Sequence, residues 1–332
     1  MSPPAVGLAE IEAARHRLEG VIRPTPVEPS PALSARLGVP VSLKLEQLQA
    51  SGSFKFRGAS NAVARLDAAT RAAGVVAVST GNHGRGLARA CAAAGVRCVV
   101  AMSRLVPANK VEAIRAEGAE VLIAGRSQDE AQREVDRLVA EEGMTMLPPF
   151  DHPDIIAGQG TLGLEMIEAL PEMAQAVIQV SGGGLISGVA AAIKARRPSV
   201  RIIGVSMERG AAMHASLAAG RPVEVEELPT LADSLGGGIG LDNRLTFAMT
   251  RALVDEIALV SEAEIAAGIR HCYRAERQIV EGSGAVGVAA LLAGKLAPAG
   301  PTMLLLSGGN IDMGLHLRIA SGEDVNLAQE AA

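Results

Sequence analysis

The 332-residue sequence contains no tryptophan, one tyrosine and four phenylalanines, so aromatic residues make up only 2% of the chain. Surfaces that bind single-stranded nucleic acid combine stacked aromatic rings with a positively charged groove. This chain has few such rings and a formal net charge of −5. We therefore expect no nucleic-acid partner.

Cysteine is also scarce, since the chain has only Cys91, Cys98 and Cys272 and no CxxC pair. An odd number of cysteines without a Cys/His cluster is typical of thiols in a reducing compartment, and it argues against a structural metal site. The first twenty residues carry charges throughout, and no apolar run approaches the length of a membrane span. The sequence therefore predicts a cytoplasmic protein that does not associate with membranes.

Hydrophobic residues make up 48% of the chain, which is enough for a large buried core. Short apolar runs alternate with longer stretches rich in alanine, leucine and glutamate over nearly the whole length, and this alternation predicts an α/β fold in which helices cover parallel-type sheets. The candidate strands are Val41–Leu45, Gly74–Ser79, Arg97–Met102, Glu120–Ala124, Ala176–Val180, Arg201–Val205 and Thr302–Leu306.

The sequence also suggests two lobes. Pro148 and Pro149 interrupt the pattern after a block of strand–helix units, and no flexible linker follows. We expect a small substrate-gating lobe over 74–148, inserted into a large cofactor-binding lobe formed by 1–73 and 149–332. Two facing lobes would form a cleft at the carboxyl ends of their strands, where ligands bind in such sheets.

Three of the candidate strands end in glycine-rich turns that precede helical segments. The turns are STGNHGRG from Ser79, SGGGLISG from Ser181 and SGGNIDMG from Ser307. Glycine allows backbone amides to approach an anion, and a helix N-terminus adds a favourable dipole. Glycine also makes tight turns without any ligand, but three such turns in one chain favour a polar ligand site.

Lys55 is the most unusual lysine of the chain, because Phe54 and Phe56 flank it within ASGSFKFRGA. A lysine in an apolar pocket has a lowered pKa, as a Schiff-base amine requires. The alternative is a lysine whose stem is buried and whose ammonium reaches water. The other lysines lie among charged or alternating residues, and we expect all four on the surface: Lys44, Lys110, Lys194 and Lys295.

Seven motifs, in this order, resemble the threonine/serine dehydratase and serine racemase family, whose members have the fold type II (tryptophan-synthase-β-like) architecture of pyridoxal-phosphate enzymes. The motifs are SGSFKFRGA, STGNHGRGLA, PxxKVEAIRAEGAEV, FDHPDIIAGQGTLGLE, VSGGGLISG, LADSLGGG and SGGNID, and the resemblance extends from about Arg23 to about Ile319. The resemblance implies a dehydratase or ammonia-lyase that uses pyridoxal 5′-phosphate to eliminate the β-hydroxyl of a small amino acid. It also suggests a homodimer.

The resemblance assigns roles to individual residues. Lys55 matches the lysine that holds the cofactor and later takes the Cα proton, and Thr80 lies where racemases place a second acid/base serine. Residues that match cofactor contacts are Phe54 on the ring, Asn82 at the ring hydroxyl, the phosphate loop Ser181, Gly182, Gly183, Gly184 and Leu185, Glu281 near the ring, and Ser307 at the pyridine nitrogen. Residues of the turn that matches the substrate-carboxylate site are Ser79, Thr80, Gly81 and His83.

Departures from the family pattern refine this expectation. Ser181 replaces the first glycine of the phosphate loop, and Thr80 in place of serine favours elimination over racemisation. A serine at position 307 leaves the pyridine nitrogen neutral, which weakens the electron sink and favours loss of a β-leaving group. Metal-activated members carry acids where this chain has Ser206 and Ala212, and only Glu208 is near, so we expect no metal site.

Four segments resemble the dehydratases of hydroxyectoine utilisation, which implies a 3-hydroxy-2,4-diaminobutyrate derivative as substrate. They are MSRLVPANKVEAIRAEGAEV, AGRSQDEAQ, GVSMERGAAMHASL and TLADSLGGGIGLDN. The alternatives are a catabolic L-threonine/L-serine ammonia-lyase, a serine racemase with dehydratase side activity, and a β-replacement enzyme similar to cysteine synthase. A dinucleotide-binding dehydrogenase is a more distant alternative, because Ser187 replaces the third glycine of a GxGxxG motif.

Overall fold

The computed structural model describes residues 4–106, 108–325 and 327, apart from the side chain of Gln128. The helices of this part are α1 (Leu8–Arg17), α2 (Pro31–Leu37), α3 (Lys55–Ala64), α4 (Ala68–Ala73), α5 (Asn82–Ala94), α6 (Ala108–Ala116), α7 (Gln128–Glu142), α8 (Pro153–Ala169), α9 (Gly184–Arg196), α10 (Ala212–Ala219), α11 (Thr246–Leu253), α12 (Glu262–Arg274), α13 (Gly282–Leu292) and α14 (Met313–Ser321). None of these helices combines the length and the apolar character that crossing a membrane requires.

The strands are β1 (Val27–Pro29), β2 (Val41–Leu45), β3 (Val75–Val78), β4 (Cys98–Met102), β5 (Glu120–Ile123), β6 (Thr145–Met146), β7 (Gln175–Gln179), β8 (Arg201–Met207), β9 (Glu256–Val260) and β10 (Thr302–Leu306). They form a six-stranded sheet in the order β1-β2-β10-β7-β8-β9 and a four-stranded sheet in the order β5-β4-β3-β6. All pairs are parallel except β1 with β2. The predicted α/β class with parallel-type sheets is therefore confirmed.

The smaller sheet is built entirely from strands between residues 75 and 146. Its central strands β3 and β4 are apolar runs that pack against α5 on one side and α7 on the other, as expected for a parallel sheet covered on both faces. The division into lobes at 74–148 agrees with this arrangement but stays a prediction.

Each predicted strand is present: β2 and β10 have the predicted ends, and the ends of the other five differ by at most two residues. Three observed strands were not predicted, and each lies at a sheet edge. Strand β1 is three residues long and ends in Pro29, β6 has two residues, and the side chains of β9 are largely half-buried. Short edge strands lack the continuous apolar run that identifies a central strand.

Helix α3, which begins at Lys55, lies between α5 and α8. Gly86 of α5 makes this close approach possible, because a Cβ there would lie 3.0 Å from the backbone carbon of Lys55. The contact brings the start of α5, and with it Asn82, next to the segment that carries Lys55. This contact therefore joins α5, which follows β3 of the small sheet, to α3, which follows β2 of the large sheet.

A buried charge cluster supports the same helix from its other side. The guanidinium of Arg57 donates to Glu46 at 2.8 Å and to Glu165 at 2.6 Å, and Lys44 donates to Glu165 and to the carbonyl oxygen of Thr25. The expectation that Lys44 lies on the surface is wrong, since its side chain is only 2% exposed. The residue alternates with apolar neighbours on β2, but the inward-facing carboxylate that pairs with it comes from α8, far away in sequence.

Candidate active site

Lys55 is positioned by the segment that docks α3 onto the turn after β10. The amide of Phe54 donates to the carbonyl oxygen of Ser307 at 3.0 Å, and Ser53 forms an isolated β-bridge with Gly308. The Lys55 amine then lies 5.3 Å from the centre of the Phe54 ring and donates to the carbonyl oxygen of Pro149 at 2.8 Å.

Burial of the amine lowers the pKa of Lys55 from 10.5 to about 8, because the surrounding protein stabilises the charged form less well than water does. No carboxylate pairs with the amine in the part of the chain that the structure describes. A substantial fraction of this amine is therefore neutral near pH 8. This lowered pKa agrees with the expectation from the flanking phenylalanines.

The second glycine turn leads directly into α9. A Cβ on Gly182 would lie 2.2 Å from Cδ1 of Phe150, and a Cβ on Gly184 would lie 2.9 Å from Cα of the same residue. Glycine is thus required for the loop to pack on Phe150. The first amides of a helix have no partner within the helix, so the start of α9 offers donors for an anion.

These elements line an inner cavity, which shares lining residues with a larger and more open outer cavity. Lys55, Asn82, Phe150, Ser181 and Ser234 line both. The other residues around the inner cavity are Phe54, Gln179, Gly182, Gly183, Gly184, Leu185, Leu235, Glu281, Ser283 and Ser307. Every cofactor contact implied by the sequence resemblance thus lines one cavity.

Asn82, at the start of α5, is held by side chains of other elements on both sides of its carboxamide. Its Nδ2 donates to Glu281 at 2.6 Å and to the hydroxyl of Ser234 at 3.3 Å, and its Oδ1 accepts from Asn310 at 2.6 Å. Burial and the nearby charge of Asp233 raise the pKa of Glu281 to about 7, although the hydrogen bond from Asn82 opposes the shift. The inner cavity therefore contains a carboxyl group that titrates near neutral pH.

The turn from Ser79 to His83 lines the outer cavity together with Lys55. The hydroxyl of Ser79 accepts from the amides of Gly84 at 2.9 Å and Gly81 at 3.4 Å, which fixes the turn. His83 is buried and hydrogen-bonded to the carbonyl oxygen of Leu147 at 2.9 Å. Burial and the charge of Lys55 lower the pKa of His83 to about 3, so its imidazole is neutral.

The structure adds residues that the sequence did not single out. Ser283 and Gln179 line the inner cavity, and the buried Ser283 hydroxyl and Gln179 Oε1 find no hydrogen-bond partner among the residues that the structure describes. Phe150 supports the glycine loop, and Asn310 contacts Asn82. The SGGN motif could have identified Asn310 as a site residue from the sequence. Gln179 lies inside an apolar strand, and no motif in the sequence distinguishes it.

Residues 206–212, where metal-activated members of the family carry acids, contain one carboxylate in this chain, that of Glu208. Glu208 pairs with Lys295 at 3.1 Å, and the Ser206 hydroxyl lies 3.4 Å from the sulfur of Met207. Among the residues that the structure describes, no group of three or more His, Cys, Asp and Glu side chains could hold a metal ion.

Comparisons with known proteins agree with this geometry. The family described as "Pyridoxal-phosphate dependent enzyme" matches residues 18–308. A "Putative threonine dehydratase" of Sinorhizobium fredii is 59% identical, with 96% of each chain covered, and an "L-threonine ammonia-lyase" of Thermotoga maritima is 42% identical, with 95% of this chain and 78% of that protein covered. Maize serine racemase has a similar structure, with a TM-score of 0.90, 33% identity, and coverage of 95% of this chain and 96% of that chain.

The family match includes Lys55, the glycine turns that begin at Ser79 and Ser181, and Ser307 at the start of the third turn, and it identifies the cofactor as pyridoxal phosphate. It leaves no support for a dinucleotide-binding dehydrogenase. The roles of the individual residues stay predictions, whereas the fold type II architecture and the family are confirmed. The chain belongs to the pyridoxal-phosphate dependent enzymes of the threonine/serine dehydratase and serine racemase family and is a lyase.

Proposed function

We propose that the enzyme eliminates the β-hydroxyl group of a small 3-hydroxy amino acid. The enamine that forms becomes an imine, which hydrolyses to a keto acid and ammonia. The observation that carries this proposal is the position of the Lys55 amine, with its pKa near 8, at the junction of the inner and outer cavities. An amine there reaches a cofactor in one cavity and a substrate in the other.

The inner cavity suits pyridoxal phosphate. The glycine loop at the start of α9 would hold the phosphate, and Phe54 and Asn82 would contact the ring. The Ser283 hydroxyl, which has no hydrogen-bond partner within the described part of the chain, lies in the same cavity as Ser307, so two hydroxyl groups are available for the ring nitrogen. When bound, the cofactor supplies a sink for the electrons that remain when the substrate loses its Cα proton.

The residues of the chain move the protons. Neutral Lys55 takes the Cα proton at Nζ, which its lowered pKa allows near neutral pH. The β-hydroxyl then leaves as water after it receives a proton, and Thr80 lies in the outer cavity where its hydroxyl can relay one. Ser79, Gly81 and His83 belong to the same turn and would orient the substrate carboxylate.

Lys55→Ala tests the mechanism. We expect borohydride to fix the cofactor on Lys55 in the wild-type protein and the variant to lose at least about 10³-fold in kcat. Lys194→Ala changes a lysine that pairs with Asp255 outside the cavities, and it should retain wild-type activity. Near wild-type activity of Lys55→Ala, or cofactor fixed on another lysine, would refute the proposal.

For the substrate, we propose a polar 3-hydroxy amino acid longer than threonine, such as a 3-hydroxy-2,4-diaminobutyrate derivative from hydroxyectoine utilisation. Parts of three of the four segments that resemble those dehydratases line the outer cavity, namely Lys110, Met207, Arg209, Gly210, Asp233, Ser234, Gly236 and Gly237. The carboxylate of Glu227 at this cavity could bind a second ammonium group, and Asp233, which pairs with Lys110 at 3.0 Å, could do so by exchanging that partner.

L-Threonine is the second candidate, since the two relatives compared above are named for threonine. Keto-acid release from L-threonine, L-serine, 3-hydroxyaspartate and 3-hydroxy-2,4-diaminobutyrate distinguishes the two candidates. We expect the highest kcat/KM for the diamino acid, and a threonine kcat/KM more than about tenfold higher would overturn this choice. Chiral chromatography of residual serine tests the racemase alternative, for which D-serine should accumulate faster than pyruvate.

We also propose that the enzyme is a cytoplasmic homodimer. The three cysteines are buried free thiols, which suits a reducing compartment. Light scattering of the purified holoenzyme measures the oligomeric state, and a monomer mass would contradict the dimer.

A further inference from the structure

Asn310 makes contacts that no catalytic assignment explains. It lies in the turn after β10, and its Nδ2 donates to the carbonyl oxygen of Ser51 at 3.0 Å and to Oδ1 of Asn82 at 2.6 Å. Its backbone amide donates to the carboxylate of Glu281. One residue therefore touches the segment before Lys55, the start of α5 and the start of α13.

These contacts determine which way the Asn82 carboxamide points. The carbonyl oxygen of Ser51 can only accept a hydrogen bond, so the Asn310 amide must present its nitrogen there. That nitrogen also faces Asn82, which must therefore present its oxygen to Asn310. The Asn82 nitrogen is then directed towards Glu281 and Ser234, on the cavity side.

The opposite orientation of Asn82 would place two donors against each other at Asn310. It would also place the Asn82 oxygen against the Glu281 carboxylate, now 2.6 Å from Nδ2. Gly52 leaves room for the Asn310 side chain, since a Cβ at position 52 would lie 2.3 Å from Asn310 Oδ1. The carbonyl group of Ser51 thus fixes the orientation of the Asn310 amide, which in turn fixes the orientation of the Asn82 amide.

We propose that Asn310 is a positioning residue for the cofactor, which acts by fixing the direction in which Asn82 presents its amide. This inference rests on the proposed function, because it needs Asn82 to contact the cofactor. Asn310 itself is absent from the residues that line either cavity. Its effect on the cofactor is therefore indirect.

The test is a double-mutant cycle with the full-length holoenzyme. Dissociation of pyridoxal phosphate is measured by equilibrium dialysis and by the absorbance band of the bound cofactor. We expect Asn310→Ala to raise the dissociation constant about tenfold and to shift the band, because Asn82 can then turn over. Asn82→Ala should have at least as large an effect, and adding Asn310→Ala to it should change the constant less than about twofold.

Asn61→Ala is the matched control, since Asn61 is a buried asparagine that donates to a backbone carbonyl, that of Asp154, at 2.7 Å. It should lower the melting temperature about as much as Asn310→Ala does and leave the dissociation constant within about twofold. If Asn310→Ala does not fold, Asn310→Asp keeps the shape, replaces the donor by an acceptor and should raise the constant further.

Two results would overturn the inference in distinguishable ways. If Asn82→Ala weakens cofactor binding and Asn310→Ala does not, or if their effects multiply, Asn310 does not act through Asn82 and the proposed function stands. If neither substitution changes the dissociation constant, the assignment of Asn82 to the cofactor fails as well.

Discussion

The buried carboxyl of Glu281 makes the stability of the cofactor-free chain depend on pH in a defined direction. Its pKa is about 7 in the folded chain, against an ordinary value of 4.5. Between these values the unfolded chain has released the proton and the folded chain still holds it. The free energy of unfolding must therefore fall as the pH rises through this range.

Raising the pKa of Glu281 from 4.5 to about 7 corresponds to about 3 kcal/mol in full, of which about 2 kcal/mol falls between about pH 5 and pH 7.5. The residue is only 4% exposed, so screening by solvent reduces the value little. Glu281→Gln keeps an acceptor for Asn82 and removes the titration. We expect the variant to be more stable than wild type by an amount that grows by about 2 kcal/mol over this range.

Urea unfolding of the cofactor-free chain, followed by circular dichroism at several pH values, measures this difference. The comparison with a variant is essential, because His83 makes the free energy of unfolding depend on pH in the opposite direction. The pKa of His83 is about 3 in the folded chain, so the stability that its neutral imidazole contributes is lost as the pH falls below about 6.5. Glu256→Gln changes an exposed carboxylate on β9 and should follow wild type. Parallel curves for Glu281→Gln and wild type would refute the assigned pKa.

Two further substitutions test the support of the site. Gly182→Ala forces a Cβ into the Phe150 ring and should weaken cofactor binding at least about tenfold. The control Gly238→Ala, whose Cβ meets only a backbone nitrogen at 3.9 Å, should leave cofactor binding unchanged. Equal dissociation constants of the two variants would contradict the close packing of the loop. Arg57→Met removes the ion pair of the buried Glu46 carboxylate and leaves Glu165 with Lys44 alone, and it should cost about 3–5 kcal/mol in urea unfolding. Arg97→Met breaks exposed ion pairs and should cost less than about 1 kcal/mol; comparable losses would argue against the buried cluster.

The positions of seven of the ten described strands and of the three glycine turns could be predicted from the sequence because each depends on local pattern. An apolar run followed by a glycine-rich turn is visible within about 15 residues, and the ends of those seven strands lie within two residues of the prediction. Lys55 was also recognisable, since its two phenylalanine neighbours distinguish it from the other lysines. The individual roles came from family resemblance rather than from local pattern.

The contacts that orient these residues could not be predicted, because they join segments far apart in sequence. The partners of Asn82 at positions 281 and 310 are 199 and 228 residues away. Lys44 illustrates the same limit, since its carboxylate partner Glu165 is 121 residues away. A charged residue on an alternating strand looks exposed until the partner that buries it is known.

The site forms where it does because of how the two sheets are joined. Strands β2, β10 and β7 are neighbours in the large sheet, so their carboxyl ends bring the Lys55 segment, the Ser307 turn and the Gly182 loop to one edge. Asn82 comes instead from the small sheet, through the contact of α5 with α3. Any movement of α5 relative to α3 therefore changes the distance from Asn82 to Glu281 and Asn310 before it disturbs the glycine loop. If Asn82 contacts the cofactor ring and the glycine loop holds the phosphate, as we propose, placement of the ring depends on the contact between the two sheets, whereas the phosphate site depends on the large sheet alone.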